Sequence, residues 1–151
     1  MSDRVYFFED LKPGLKFHSE IIKVTRDDIV DFARKFDPQA FHTGDAPTIG
    51  PMISDDVIAS GWHISSVCMK LLVNTLLIKS SCVCSPGVDL LKWPTPMIAG
   101  DEVKAEITVI EKKDSSSKPD WGLAKIHVEM TNQNDSILCI MEPVIFFGRR
   151  P

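Results

Sequence analysis

Asp37 and His42 stand five positions apart, a carboxylate and an imidazole on either side of Pro38. Held together, such a pair binds a water and moves its proton at neutral pH, the carboxylate as base or orienter and the imidazole as acid or partner. The spacing by itself says little. In a chain this rich in aspartate an Asp-x4-His pair arises by chance roughly one time in three, as a helix-ending aspartate and an idle loop histidine. Its surroundings give it weight. Ser60-Gly61 opens the most apolar long segment of the chain, and the free backbone N–H groups at a helix start stabilise negative charge on a carbonyl oxygen. An acid/base pair with an oxyanion site is what adding water to an unsaturated carbonyl requires.

Other reactive side chains point to simpler roles. Cys68, Cys82, Cys84 and Cys139 lie inside apolar segments. Cys82 and Cys84 would share a strand face, but there is no C-x-x-C pair, so buried reduced thiols are expected and a metal site is not. His63, in the first turn of the apolar helix, fits a pocket wall or a hydrogen-bonded structural histidine. His18 and His127 read as surface strand residues, and Trp62 and Trp93 as core or pocket wall.

The elements that must position the pair follow from patterning. Ile21 to Val24 reads as a short strand. Thr25 with Asp28 then makes a capping-box pattern, with Asp27 favourable to the helix dipole. Ile29, Phe32, Ala33 and Phe36 recur at helical spacing as one apolar face. Pro38 disfavours helical geometry at Asp37, so the helix ends there and the turn at Pro38-Gln39 must bring Asp37 and His42 together. Residues 43–57 carry Gly44, Pro47, Gly50 and Pro51 without periodicity, which predicts an ordered overhanging loop. From about 61 to 77, Ile64, Val67, Cys68, Leu71, Leu72 and Leu76 recur at helical spacing, with Trp62 and Met69 widening the stripe. That is a helix about 25 Å long at about 1.5 Å per residue, with most of its circumference expected to be buried.

Strands come next. Ser80 to Cys84 and Gly87 to Trp93 read as two segments, followed by turns at Pro94, Pro96 and Gly100-Asp101. Val103 to Val109 and Ala124 to Met130 alternate apolar and polar, each covering a core on one face. Lys113 to Asp120 is a hairpin tip and Asn132 to Asp135 a turn. Ile137 to Phe147 is a last strand in which Pro143 marks a bulge or an edge. Early helices and a later run of strands make an α+β domain, a helix packed on one face of an antiparallel sheet.

Composition bounds the function. The 151 residues suffice for one domain, able to bury roughly two-thirds of the unfolded surface. Hydrophobic residues make up 44% and charged residues 25%, which excludes a disordered chain. A net charge of -4 without a basic run argues against a nucleic-acid partner. The start, Met1 to Tyr6, lacks the pattern of a secretory signal, so a cytoplasmic protein is expected. Val67 to Ile78 is interrupted by Lys70, Asn74 and Thr75, short of the roughly 20 apolar residues of a membrane span, so no membrane partner is expected.

The run Phe32 to His42 followed by Ile58-Ala59-Ser60-Gly61-Trp62-His63 resembles the MaoC-like dehydratases, relatives of the (R)-specific enoyl-CoA hydratases. Tyr6 to Asp10 with Pro13-Gly14, Ser85 to Asp89 with Leu91-Lys92-Trp93, and Pro96 with Gly100-Asp101 extend the match over nearly the whole chain. The resemblance implies a hotdog fold over residues 1–151, an antiparallel sheet wrapped around a long central helix, assembled as a homodimer or higher homo-oligomer. It implies reversible hydration of a trans-2-enoyl-CoA to a 3-hydroxyacyl-CoA, with an acyl-CoA thioester as partner and no metal or other cofactor. Asp37 and His42 match the catalytic pair, which activates the water and protonates the α-carbon. Gly61 matches the glycine whose N–H binds the thioester oxygen, with Ser60, Trp62, His63 and Phe41 as substrate contacts around it.

Two departures from the family pattern stand out. Ile53 to Val57 replaces a Phe-Gly-Gly-like run and sets Asp55 and Asp56 beside the acyl entrance. Met69 stands near where some (R)-hydratases carry a serine, with Ser65 and Ser66 close by. Lys92, Arg149 and Arg150 are the basic residues placed to meet CoA phosphates, although scattered bases are usually plain surface. Hotdog domains also host acyl-CoA thioesterases and non-catalytic acyl-binding or dimerisation modules, so both stand as alternative functions.

Overall fold

Alternation along the C-terminal half builds the sheet. The computed structural model describes residues 5–46 and 56–151. Strands β4 (Glu102–Asp114), β5 (Trp121–Thr131) and β6 (Ile137–Gly148) each bury every second residue on one face. They pair antiparallel in sequence order, flanked by β1 (Lys16–His18) against β4 and β3 (Cys82–Lys92) against β6. The short β2 (Ile22–Lys23) also pairs with β4. The order is therefore β1-β4-β5-β6-β3, six antiparallel strands counting β2.

Helix α3 (Gly61–Thr75) lies on the inner face of that sheet, extended by a 3-10 turn at Leu77–Lys79. Ile64, Cys68, Leu71, Leu72 and Leu76 pack into a core with Ile107, Ile126, Val128, Met130, Leu138 and Phe147. This is the hotdog arrangement that the resemblance implied. The Cys68 thiol meets that of Cys139 between helix and sheet, and burial helps hold it protonated.

Several expectations need correction. The helix buries one stripe rather than most of its circumference, and Trp62 and Met69 are exposed, because the sheet covers one side of α3. The segment Gly61–Lys79 is long and apolar enough by composition to cross a membrane, contrary to the reading from its polar interruptions. Its apolar stripe faces the sheet instead. In α1 (Arg26–Phe36) the buried positions are Ile29, Val30 and Ala33, whereas Phe36 is 71% exposed.

The two segments around Gly87 form one strand, β3, whose register slips at three places. Cys82 and Cys84 sit on it exposed, not buried. Pro143 lies opposite Val88 beside one of those slips, within an inner strand. The missing N–H is thus accommodated by a bulge and not by an edge. The strand β1 had no periodic signal, being three residues long with its partner on β4.

The turns stand where expected. Residues between β4 and β5 form the hairpin tip, and Asn132 closes the β5–β6 turn by accepting the N–H groups of Asn134 and Ser136. One further turn supports the site. Buried Asp101 accepts the Ile98 N–H at 3.0 Å and the Gln133 amide at 3.1 Å. Ile98 then bridges to Ile58, and Met97 O accepts the Ala59 N–H at 2.9 Å. The chain entering α3 is thereby pinned from outside the sheet.

Candidate active site

Thr25 and Asp28 form the capping box that starts α1: the Asp28 N–H donates to Thr25 Oγ1 at 3.1 Å, and the Thr25 N–H to Asp28 Oδ2 at 2.9 Å. The Thr25 N–H on its oxygen holds the Asp28 carboxyl below the usual carboxylate range. At the far end Asp37 is the C-cap, its own N–H on Ala33 O. Pro38 sends the chain outward, and a short helix that the sequence did not announce, α2 (Ala40–Thr43), returns it. Gly44 ends α2 with φ of 85°, a left-handed value that suits glycine.

That turn places His42 Nε2 3.3 Å from Asp37 Oδ2. His42 is 6% exposed, with Phe41 packed on its ring at 4.2 Å. Its Nδ1 stands 2.6 Å from Ile58 O. A carbonyl only accepts, so Nδ1 carries a proton and Nε2 is the nitrogen directed at the carboxylate. Two lone pairs at that distance repel, so a proton or a water proton has to sit between them.

The Ser60 hydroxyl first and the Gln39 side-chain amide next, at 2.8 Å from Oδ1, hold the Asp37 carboxyl below its ordinary range; burial opposes them, and the charge of His42 adds a lesser lowering. Asp37 is therefore ionised at neutral pH.

Ser60 is the N-cap of α3 and fully buried; its oxygen also accepts the Trp62 N–H at 3.3 Å. One side chain thus joins the carboxylate to the first turn of the helix. Among the described residues nothing accepts a hydrogen bond from the Gly61 N–H, which leaves it available at the positive end of α3. Gly61 is required by close approach: a Cβ there would fall within the indole of Trp93, 2.6 Å from its Cδ2. The Trp93 Nε1–H donates to Ser65 Oγ at 2.9 Å, and Ser65 donates in turn to Gly61 O at 3.0 Å. Trp62 meets Trp93 edge-on at 5.4 Å. Both tryptophans are exposed, at 60% and 40%, so neither belongs to the core.

Asp37, His42, Phe41, Ser60, Gly61 and Trp62 thus converge where α1, α2 and α3 meet. His63 faces another way. It stacks on Phe32 at 4.8 Å in a groove of about 430 Å³ between α1 and α3, lined also by Phe36, Ser66, Val67 and Lys70. Its Nδ1 is buried without a partner, and burial pushes its pKa below the ordinary histidine value, partly opposed by Asp28.

Asp56, Arg149 and Arg150, singled out from sequence, are each held by ion pairs. Asp56 is gripped by Arg26, Nε to both carboxylate oxygens at 3.0 and 3.1 Å. It therefore ties the end of the 43–57 segment to α1, while Asp55 lies outside the described residues. Arg149 pairs with Glu9 and Asp114, and Arg150 with Asp10, which ties the C-terminus to the first turn of the chain. Among the described residues no three His, Cys, Asp or Glu are grouped as metal ligands.

Three contributors were invisible to motif reading. The Ile58 carbonyl is backbone and carries no residue signal. Gln39 had only its place beside Pro38. Ser65, one helical turn beyond Gly61, was the nearest to legible.

An antiparallel sheet around a central helix, with an acid/base pair at the helix N-terminus, defines a hotdog-fold protein of the hydratase and dehydratase class. No protein-family model matches the chain. It is similar to the MaoC-like dehydratase of Rhodospirillum rubrum, at 33% identity and TM-score 0.86, covering 96% of this chain and 98% of that one. The chain belongs to the MaoC-like dehydratases. It also matches the uncharacterized protein YdeM of Bacillus subtilis, 24% identical over 122 residues, 81% of this chain and 84% of that protein. The (R)-hydratase PhaJ1 of Pseudomonas aeruginosa shares the fold at 18% identity and TM-score 0.75, covering 97% of this chain and 88% of that one.

Proposed function

We propose that the protein hydrates a trans-2-enoyl-CoA reversibly to a 3-hydroxyacyl-CoA of R configuration. The observation that carries this reading is the Asp37 carboxylate 3.3 Å from His42 Nε2, linked through Ser60 to the start of α3 at Gly61.

In this mechanism the thioester oxygen accepts the Gly61 N–H, which draws electron density from the β-carbon. A water held between Asp37 Oδ2 and His42 Nε2 loses a proton to the pair as its oxygen bonds to the β-carbon. The C=C electron pair shifts to the α-carbon, charge builds on the thioester oxygen, and the pair returns a proton to the α-carbon. The sum is one water added across one double bond, and the reverse path is dehydration. Ser60 and Gln39 keep Asp37 ionised and oriented, and Ile58 O keeps the His42 tautomer. Phe41 packs the imidazole and Trp62 is the remaining substrate contact, whereas His63, turned into the groove between α1 and α3, is left out of the site. No covalent intermediate and no cofactor beyond the substrate's own CoA is required.

The reading includes assembly as a homodimer or higher homo-oligomer. The exposed edge strand β3, which presents Val83 and Val88, supports it.

The deciding experiment follows loss of the conjugated thioester absorbance on a short trans-2-enoyl-CoA, with chiral analysis of the product. Formation of the (R)-3-hydroxyacyl-CoA without thiol release is expected. Release of free CoA from a saturated acyl-CoA, with no hydration, replaces the reading with a thioesterase. Saturable binding without turnover replaces it with an acyl-binding module.

A further inference from the structure

We propose that Asp101 is the positioning residue of the acid/base pair: from a turn outside the sheet, its carboxylate holds the segment whose carbonyl fixes His42 against Asp37. The role rests on the reading of Asp37 and His42 as the groups that handle the water.

His42 owes its tautomer to one backbone atom. Ile58 O accepts its Nδ1–H at 2.6 Å, and the Ile58 N–H donates to Phe41 O at 3.3 Å, so Ile58 holds α2 at two points. Ile58 itself lies in no strand. An isolated antiparallel bridge joins it to Ile98, and the next residue, Ala59, donates to Met97 O at 2.9 Å. The place of Ile58 therefore follows that of the turn at 97–101.

Asp101, 2% exposed, closes that turn. Its Oδ2 accepts the Ile98 N–H at 3.0 Å, while its own N–H donates to Ile98 O at 3.2 Å. Both backbone groups of Ile98 are thus held by one residue. Oδ1 accepts the Gln133 amide at 3.1 Å, and Gln133 Oε1 accepts the Glu102 N–H at 3.0 Å, which anchors the carboxylate to the β5–β6 turn. The backbone of the same turn reaches the other arm of the pair. The Val24 N–H donates to Asp101 O, and the Gly100 N–H to Val24 O, each at 2.8 Å. Val24 precedes Thr25, the N-cap of the helix whose far end is Asp37. The arms that carry the carboxylate and the imidazole meet at Asp101, and the 3.3 Å between them is spanned across this joint.

The joint calls for a carboxylate because it meets a donor on each oxygen. An amide in its place offers one oxygen and turns N–H groups against the second donor. Adding Gln133→Glu gives those N–H groups an acceptor and still accepts the Glu102 N–H. Asp101→Asn/Gln133→Glu therefore rebuilds the joint with one bond reversed and the net charge unchanged.

The test compares wild type, Asp101→Ala, Asp101→Asn and Asp101→Asn/Gln133→Glu. Asn132→Ala is the control, loosening the same β5–β6 turn through a side chain that accepts the Asn134 and Ser136 N–H groups instead. Nitrogen-15 NMR of the neutral imidazoles, with His42 assigned from His42→Ala, reads the tautomer and needs no turnover. Wild type is expected to hold His42 protonated on Nδ1. Asp101→Asn mixes the two tautomers and lowers kcat on an enoyl thioester about 10-fold, with KM within about 2-fold, as a displaced catalytic group does. Asp101→Ala loses more, and the double variant returns to within about 2-fold of wild type. Asn132→Ala lowers the melting temperature and moves neither readout.

Wild-type tautomer and kcat in Asp101→Asn, a loss that Gln133→Glu fails to restore, or equal displacement by Asn132→Ala overturns the role. The isosteric pair decides even where Asp101→Ala does not fold. A tautomer that shifts in Asp101→Asn and returns in the double variant, with no enoyl thioester hydrated by wild type, supports the joint and rejects the hydratase reading alone.

Discussion

The buried hydroxyl of Ser60 hydrogen bonds the Asp37 carboxylate while its oxygen accepts the Trp62 N–H at 3.3 Å. The N-cap of the central helix and the orientation of the acidic residue are therefore one structural feature. Removing this bond weakens the strongest influence that lowers the Asp37 pKa. In Ser60→Ala the pKa rises, and since the ionised carboxylate is the working form, the acid limb of the kcat/KM profile moves to higher pH. Ser60→Thr retains a hydroxyl and keeps the limb in place. Loss of the N-cap in Ser60→Ala also costs about 1 kcal/mol of stability, measurable by urea unfolding. A depressed carboxyl stabilises the fold above its unfolded value of about 3.8 and loses that contribution as pH falls through the folded value.

Asp37→Asn and His42→Ala should each lower kcat/KM by about 10²- to 10⁴-fold, the range for a general acid or base. The double variant should be little worse than the weaker single one, because the two groups act on one water. Circular dichroism should show the fold retained in all three. Full activity in either single variant removes the dyad from the mechanism.

Gly61→Ala places a methyl group inside the volume of the Trp93 indole. The ring must leave or the helix start must shift, at about 1–3 kcal/mol for overpacking. Activity should fall by about 10²-fold or more. Thermal unfolding of Gly61→Ala and of Gly61→Ala/Trp93→Leu separates the causes: the second change should restore the melting temperature that the first one lowers.

His63 is buried with its pKa pushed down by desolvation. The unfolded chain, with an ordinary value of about 6.5, takes up a proton that the folded chain resists, so this residue destabilises the fold as pH falls below about 6.5. His63→Leu removes that term and the orphaned Nδ1. The difference in urea midpoint between pH 7.5 and pH 5.5 should shrink in the variant, and equal pH dependence in both proteins refutes the assignment.

Much of the architecture was legible because it rests on local chemistry. The Thr25–Asp28 box, the stop at Asp37 before Pro38, the helix start at Ser60-Gly61 and the alternation of β4, β5 and β6 each follow from a propensity or a period in the adjoining residues. What failed was whatever depends on a distant partner. Phe36 fits the apolar face of its helix yet is largely exposed, at the rim of the groove between α1 and α3. The partner of Asp56 is Arg26, thirty residues earlier, which no local pattern around Asp56 announces. Cys82 and Cys84 fit a buried strand but sit on the sheet's exposed edge.

The sequence by itself determined the residue types at the site and the breaks that bracket them: a carboxylate at a helix end, an imidazole past a proline, a glycine at a helix start. Only the tertiary structure decided that these meet, and how tightly. The short α2 turn closes the Asp37–His42 gap, the Ile58 carbonyl selects the imidazole tautomer, and the Ser65–Trp93 bond roofs Gly61. The last two are contacts between segments separated by 16 and 28 positions, and no periodicity within a segment encodes the distance between two others.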